Sequence, residues 1–304
     1  MFHSLFQYCI LILSLSGVFS TALLAQEADS QPNVIFILAD DLGWGDLGCY
    51  GHPHIKTPQL DKLADKGTRL TQFYVNGSVC SPSRAAFFTA TYPARLRIHD
   101  FISTPEENEA RGMADYVDPT LPNLATTFKD AGYTTAHIGK WHITKKGPAI
   151  RRYGFDYVGP AEEPGKGPRD DPYFMAKSTE RFVDYALEFI DQNDGKAPFY
   201  IQLWTLTPHA TLNPTPEQME RYKGFRPSKT IPGFNHRSAA EIYYATVTDL
   251  DTQIGRLLKG LEERDLDRDT IIVFTSDNGP EDIHIIGAGH SGIGSAGPFR
   301  GRKR

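Results

Sequence analysis

Cysteine is scarce in this sequence of 304 residues, which contains only Cys9, Cys49 and Cys80. So few thiols cannot form the disulfide framework that stabilises small secreted domains. The chain must instead rely on a hydrophobic core, and its 40% of hydrophobic residues is enough for one of ordinary size. Cys9 lies in an apolar N-terminal segment, so Cys49 and Cys80 remain either for one disulfide bond or for another role.

The sequence also lacks an excess of basic residues. Its 32 Lys and Arg residues against 37 Asp and Glu residues give a formal net charge of -5. Because nucleic-acid-binding proteins usually carry a basic excess, we expect no nucleic-acid partner. A local cationic pocket for an anion is compatible with this charge balance. Internal repeats and low-complexity runs are absent as well, which argues against fibrous or disordered chains.

Long apolar runs are missing except at the N-terminus. Residues 5–24 are almost wholly apolar or small, and Ala25 precedes the acidic, polar residues 27–31. This pattern predicts a signal peptide, residues 1–25, and a secreted or periplasmic protein without stable membrane insertion after cleavage. An uncleaved membrane anchor is the alternative, because the run is about long enough to span a bilayer.

Apolar strand-like runs alternate with amphipathic helical stretches through the rest of the chain. This alternation predicts an α/β fold with a mostly parallel sheet. The predicted strands are residues 33–39, 133–138, 199–206 and 270–275. The predicted helices are residues 58–66, 121–131, 178–192 and 238–264. Thr57 is expected to cap the first of these helices, and residues 208–236, with five prolines, are expected to form a substrate loop.

Each of the four predicted strands ends in residues that bind metals or move protons. These are Asp40 and Asp41, then Lys140 and His142, then His209, and finally Asp277 and Asn278. In open α/β sheets, ligands bind outside the carboxyl ends of the strands. The sequence therefore predicts one site assembled from distant parts of the chain.

The acidic side chains of this set offer only oxygen ligands. Asp40, Asp41, Asp277 and Asn278 suit a hard cation, calcium or magnesium, better than zinc. Either pair alone is more typical of a helix cap or a solvated turn. Because both pairs follow strands, we interpret them as one shared metal site.

Basic side chains accompany these ligands. Lys140, His142, His209 and Lys303 are cationic or can become so, and cationic donors around a divalent cation are what a tetrahedral oxyanion needs. A single histidine is more often structural, but here two of them follow strands beside proposed ligands. Residue spacing alone thus indicates a metal-dependent hydrolase of an oxyanion ester.

The most specific motif is Cys80-Ser81-Pro82-Ser83-Arg84. Pro82 fits the first turn of a helix, which places Cys80 at a helix N-terminus, where the macrodipole favours an anion or a reactive nucleophile. The alternative is a buried structural cysteine beside an ordinary helix cap.

At these residues the chain resembles the sulfatase family of the alkaline-phosphatase-like superfamily, over residues 33–304. The family signature, Cys-x-Pro-Ser-Arg, directs oxidation of the cysteine to formylglycine and is complete here. Further matching motifs are Thr57-Pro58, Leu60-Asp61, Gly139-Lys140-Trp141-His142, Pro208-His209, Asp277-Asn278-Gly279 and Arg300-Gly301-Arg302-Lys303. The last motif departs from the family pattern, in which glycine is common at the position of Arg302.

The resemblance implies an alkaline phosphatase-like, mostly parallel central sheet with helices on both faces. It also implies a sulfuric ester hydrolase in which formylglycine at position 80, as a gem-diol, attacks the sulfur. One calcium per chain would be held by Asp40, Asp41, Asp277, Asn278 and residue 80. Arg84 and Lys140 would orient residue 80, and His142, His209 and Lys303 would handle protons.

Several aspects of function remain open at the level of sequence. Resemblance within residues 276–281 favours a sulfated glycan as substrate, and His99 and Asp100 could contact its alcohol side. Maturation would require a formylglycine-generating enzyme as partner. A phosphate or phosphonate ester hydrolase of the same superfamily is one alternative, and a non-catalytic binding protein for sulfated glycans is another.

The end of the sequence leads to a further expectation. Proteins of this family normally continue beyond the position of Lys303 with further sheet and a smaller C-terminal subdomain. Residues 287–304 are rich in glycine and have no apolar periodicity. We therefore expect a C-terminally incomplete catalytic domain at residues 33–304, with residues 287–304 poorly anchored and an apolar face of the sheet uncovered.

Overall fold

The computed structural model describes residues 31–160, 171–225, 239–282 and 290–303. The predicted signal peptide, residues 1–25, lies outside these ranges, and so does part of the predicted substrate loop, residues 226–236. Within the described ranges, no helix combines the length and the apolar character needed to cross a membrane.

The core of the structure is a five-stranded sheet in which every strand pair is parallel. The strands are β1 (Asn33–Ala39), β2 (Thr134–Gly139), β3 (Tyr157–Val158), β4 (Phe199–Trp204) and β5 (Thr270–Ser276). Their order across the sheet is β3-β2-β4-β1-β5. Since all strands run the same way, their carboxyl ends meet along one edge.

The predicted strands are confirmed to within about two residues, and β3 was not predicted. The sequences of β1 and β4, NVIFILA and FYIQLW, are almost continuously apolar, as expected for strands covered on both faces. The edge strand β5 differs, because Ile271 is 50% exposed and Val273 is 42% exposed. The expectation of an uncovered apolar face therefore holds at β5.

Helices lie on both faces of the sheet. They are α1 (Pro58–Lys66), α2 (Cys80–Thr89), α3 (Pro93–Leu96), α4 (Pro105–Ala110), α5 (Leu124–Asp130), α6 (Ser178–Asn193), α7 (Pro216–Met219) and α8 (Ala239–Glu262). Helices α1, α6 and α8 contribute to one hydrophobic cluster with Ile35 and Ile201 of the sheet. Helices α2 and α5 pack in a second cluster with Phe36 and Tyr200, whose side chains point to the opposite face.

At the start of α1, a carboxylate from a distant helix takes the place of the expected N-cap side chain. The Thr57 side chain does not cap the helix, contrary to expectation; its hydroxyl accepts a hydrogen bond from the Gly48 amide at 2.8 Å. The amides of Gln59 and Leu60 instead donate to the Asp251 carboxylate of α8, at 3.0 and 2.8 Å. The first amides of a helix have no acceptor within the helix. Here Asp251, almost 200 positions away in the sequence, supplies one.

Candidate active site

The carboxyl ends of β1 and β5 place four polar side chains together. Ala39 and Ser276 are paired in the sheet, so the residues that follow them are neighbours. The Asp41 amide donates to Asp277 Oδ1 at 3.1 Å, and Asn278 Nδ2 donates to Asp41 Oδ1 at 2.7 Å. All of these side chains are buried, and Asp40 lies beside them with no exposed surface.

Helix α2 points its N-terminus at this group. Cys80 is its first residue and is 2% exposed, and its sulfur lies within 4.8 Å of carboxylate oxygens of both Asp40 and Asp41. Arg84 lies one helical turn later, on the same side of the helix. Its guanidinium donates to Asp277 Oδ2 at 2.9 Å through Nε and lies 3.4 Å from Asp40 Oδ1 through Nη2.

Lys140 reaches the same carboxylates from the end of β2. Its Nζ lies 2.8 and 2.6 Å from the two oxygens of Asp40. The preceding Gly139 has a φ of 103°, and a Cβ at that position would lie 1.9 Å from the Trp204 carbonyl oxygen. Only glycine allows β2 to approach β4 this closely and then direct Lys140 inward.

Two histidines complete the ring of basic groups. The His142 carbonyl accepts a hydrogen bond from Ser81 Oγ at 2.8 Å, which ties the loop after β2 to the start of α2. Burial, reinforced by the charges of Lys140 and Arg84, holds the pKa of His142 well below its usual value of about 6.5. His209 is partly exposed, and its Nε2 lies 3.6 Å from Asp41 Oδ2.

Lys303 enters the site from the end of the chain. Its Nζ lies 2.8 Å from Asp41 Oδ2 and 3.2 Å from Glu281 Oε2, and the residue is 6% exposed. The expectation of a poorly anchored segment is wrong for residues 290–303. Hydrogen bonds from polar side chains and backbone amides hold these residues, a pattern that apolar periodicity does not reveal.

Glu281 is a member of the site that sequence reasoning did not single out. Its side chain is 3% exposed, and its carboxylate lies within 4.8 Å of ligand atoms of Asp41 and His209. The available signal was its position four residues after Asp277, in the turn that follows the same strand.

The electrostatics of the site favour a cation among these oxygens. Burial opposes the ionisation of Asp40 and Asp41, but the charges around them, chiefly those of Lys140 and His209, outweigh it and lower both pKa values. Burial raises the pKa of Asp277 despite the Arg84 guanidinium. Asn278 Oδ1 is buried and has no hydrogen-bond partner among the described residues. An oxygen without a partner beside three carboxylates fits a hard divalent cation.

The two cysteines of the described chain are free thiols, so the alternative of a disulfide is wrong. Burial raises the pKa of each to about 11, with the acidic neighbour Asp61 adding to the effect at Cys49. Burial therefore disfavours the thiolate form of an unmodified Cys80.

Comparison with known proteins agrees with this geometry. A family model described as Sulfatase matches residues 32–304. N-acetylgalactosamine-6-sulfatase of Rattus norvegicus is 30% identical over 310 residues, which cover 91% of this chain and 55% of the relative. Arylsulfatase A of Homo sapiens is 30% identical over 299 residues, which cover 86% and 55%. The chain thus spans about half the length of these curated relatives.

The fold is also found among solved structures. Ps i-CgsB in complex with k-i-k-neocarrahexaose superposes with a TM-score of 0.73 at 24% sequence identity, covering 90% of this chain and 62% of that one. This likeness confirms the predicted alkaline phosphatase-like fold class. On the match of the family model across nearly the whole described chain, this protein belongs to the sulfatase family.

Proposed function

We propose that this chain carries the site of a sulfuric ester hydrolase. The observation that supports it most directly is the position of Cys80. The residue that the family oxidises lies at a helix N-terminus, within 4.8 Å of carboxylate oxygens of Asp40 and Asp41. Three buried cations, Arg84, Lys140 and Lys303, surround the same space. Such an arrangement favours a tetrahedral, negatively charged group bound between a metal and fixed positive charges.

Residue 80 and the metal would have different roles in the reaction. Formylglycine formed from Cys80 would supply a hydrated aldehyde as the nucleophile, and calcium, when bound, would supply positive charge to the sulfate oxygens. Asp40, Asp41, Asp277 and Asn278 would hold the calcium ion, together with residue 80.

The fixed cations orient the reacting groups. Arg84 and Lys140 both contact Asp40, and both lie close enough to residue 80 to interact with its charge, so they can hold its oxygens. Lys303 is held by Asp41 and Glu281, and its ammonium can donate to the sulfate or to the departing alcohol. Because all three are buried and paired, little reorganisation is needed when the anion binds.

Proton transfer is divided between His142, His209 and Lys303. The lowered pKa of His142 keeps its ring neutral, as a base that takes a proton from residue 80 must be. His209 is partly exposed and lies beside Asp41, as does Lys303, so one of these two groups protonates the leaving alcohol.

A sulfated glycan is the substrate that we favour. The relatives matched by this chain include an enzyme named for N-acetylgalactosamine 6-sulfate, and one structural neighbour holds a neocarrahexaose. The Ile102 amide donates to Ser81 Oγ at 2.9 Å, so residues 99–101 lie beside the start of α2. His99 is exposed and Asp100 is partly exposed there, where both could contact the alcohol side.

The proposed setting follows from the same chemistry. The protein is exported to a secreted or periplasmic location through residues 1–25. Before it becomes active, a formylglycine-generating enzyme modifies Cys80.

The test is to produce the chain together with a formylglycine-generating enzyme and to compare hydrolysis of an aryl sulfate with that of the matching aryl phosphate and phosphonate. We expect sulfate hydrolysis to dominate and Cys80→Ala to abolish it while the fold is retained. A panel of sulfated mono- and disaccharides then identifies the substrate. Dominant phosphate or phosphonate hydrolysis would contradict the proposal, and so would binding of sulfated glycans without any turnover.

A further inference from the structure

Arg302 makes contacts that a glycine at this position could not make. Its Nε donates to the Glu281 carbonyl at 2.9 Å, and its Nη2 donates to the carbonyls of Gly292 and Gly294 at 2.7 and 2.6 Å. These three acceptors belong to two segments that are separated in the chain. One guanidinium therefore connects the turn after β5 to residues 292–294.

The next residue in the chain is Lys303. Its amide donates to the Pro280 carbonyl at 2.9 Å, directly beside the carbonyl that Arg302 contacts on Glu281. Residues 302 and 303 are thus attached to the turn after β5 at two points, through the Arg302 side chain and through the Lys303 amide. Because a lysine side chain has four rotatable bonds, its ammonium stays in place only if the backbone that carries it is fixed.

Residues 292–295 are themselves attached to the loop after β1. The Ser295 amide donates to Asp46 Oδ1 at 2.8 Å, and the Gly45 amide donates to the Ser295 carbonyl at 2.8 Å. Asp46 is fully buried and also accepts hydrogen bonds from Tyr243 and from the Gly43 amide. This loop begins with Asp40 and Asp41, so hydrogen bonds connect the segment that Arg302 contacts to the loop that carries two proposed metal ligands.

We propose that Arg302 is a positioning residue that holds Lys303 in the site of this chain. The inference rests on the proposed function for its effect on turnover, but not for its effect on Lys303. Gly301 precedes it, with a φ of 87°, so Arg302→Gly would leave two consecutive glycines and three carbonyls without their donor. Lys303 would then sample positions away from Asp41 and Glu281.

The first measurement follows the reactivity of Lys303 and needs no enzymatic activity. The folded protein is acetylated with an N-hydroxysuccinimide ester, and each lysine is quantified by mass spectrometry. In Arg302→Gly we expect Lys303 to react roughly tenfold faster, because local opening exposes its amine. Lys140, which is also buried, is the internal reference and should keep its rate.

A matched variant controls for the lost charge. Arg300 is exposed, carries the same charge and lies two positions away, so Arg300→Gly should leave the Lys303 rate unchanged. Arg302→Lys keeps the charge but cannot reproduce the guanidinium fork, so it should lie between Arg302→Gly and the parent. Faster reaction of Lys140 together with Lys303 would indicate general loosening and overturn the proposal, as would an unchanged Lys303 rate.

The second measurement is a double-mutant cycle on sulfate-ester turnover. We expect Arg302→Gly to lower kcat/KM by roughly ten- to a hundredfold, because small displacements of a positioned group are costly. In a Lys303→Ala background the same substitution should have almost no effect, since Arg302 acts through Lys303. An equal loss in both backgrounds would overturn the proposal. If the parent shows no sulfatase turnover, the proposed function fails, and the acetylation rates still decide the role of Arg302.

Discussion

The ammonium of Lys303 lies 2.8 Å from the carboxylate of Asp41, although 262 positions separate the two residues. Asp41 is a proposed metal ligand and Lys303 a proposed proton donor. Burial opposes the ionisation of Asp41, and the charges of His209 and Lys303 overcome that effect and keep its pKa low. Residues from opposite ends of the described chain thus stabilise the charged form of this proposed metal ligand.

Calcium should stabilise this protein measurably. A ligand that binds only the folded state adds about 2.7 kcal/mol to the free energy of unfolding at a concentration of 100 Kd. We expect calcium to raise the Tm of the parent, and chelation to lower it and abolish turnover. Asp277→Ala should abolish the calcium-dependent rise in Tm, whereas Asp267→Ala, an exposed control, should retain it. Full turnover after thorough chelation would refute a metal role.

Asp46 should give the stability of the protein a particular dependence on pH. Burial raises the pKa of Asp46 from 3.8 to about 6. Between these values the folded protein holds a proton that the unfolded chain has lost, so stability falls as pH rises from about 4 to 6. The difference corresponds to about 3 kcal/mol.

Comparison with Asp46→Asn isolates this effect, because asparagine does not titrate. The free energy of unfolding of the parent, measured with urea, should fall by about 3 kcal/mol relative to that of Asp46→Asn between pH 4 and 7. Asp267→Asn should run parallel to the parent. Parallel curves for Asp46→Asn as well would mean that Asp46 keeps an ordinary pKa.

Gly139 and Gly132 form a matched pair for testing the close approach of β2 to β4. Both have positive φ, 103° and 89°, but a Cβ at 132 would meet no atom within 4 Å, whereas at 139 it would meet the Trp204 carbonyl. Gly132→Ala should cost about 1–2 kcal/mol of stability through backbone strain alone. Gly139→Ala should cost clearly more and lower turnover, because Lys140 follows directly. Equal losses of stability in the two variants, measured by thermal or urea unfolding, would show that β2 can move away from β4 at little cost in free energy.

Modification of Cys80 should precede folding. The residue is 2% exposed, so an enzyme that oxidises it cannot reach it in the folded chain. A formylglycine-generating enzyme should convert an unfolded peptide of residues 70–84 but not the folded, unmodified protein, as judged by mass spectrometry. Active protein should carry the aldehyde in that peptide. An active preparation with only unmodified Cys80 would exclude the proposed nucleophile.

The sequence predicted the residues at the strand ends better than it predicted their contacts. Asp40, Lys140 and Asp277 could be placed together because apolar runs of strand length precede them and parallel strands end at a common edge. Glu281 and Asp46 could not, because their surroundings are formed by loops whose course no periodicity encodes. The cap of α1 failed for the same reason, since Asp251 approaches it only after α8 has packed.

The edge of the sheet was the least predictable part of the fold. β3 has two residues, too few for an alternating pattern to be recognised. The segment that ends at Lys303 was misjudged because its stability comes from Arg302 and Ser295 bonding to distant backbone. Short, polar and long-range features of this kind leave no local signal in a sequence.

The order of the strands also has a consequence for how the chain is made. β1 leaves the ribosome first, yet its two neighbours in the sheet, β4 and β5, are synthesised roughly 170 and 240 residues later. At about 5–20 residues per second, this apolar strand waits on the order of 10 to 50 s for its second partner. Until β4 emerges it is an unpaired, aggregation-prone segment, and one of its edges stays unpaired until β5 follows, so the same delay leaves Cys80 open to its proposed modifying enzyme.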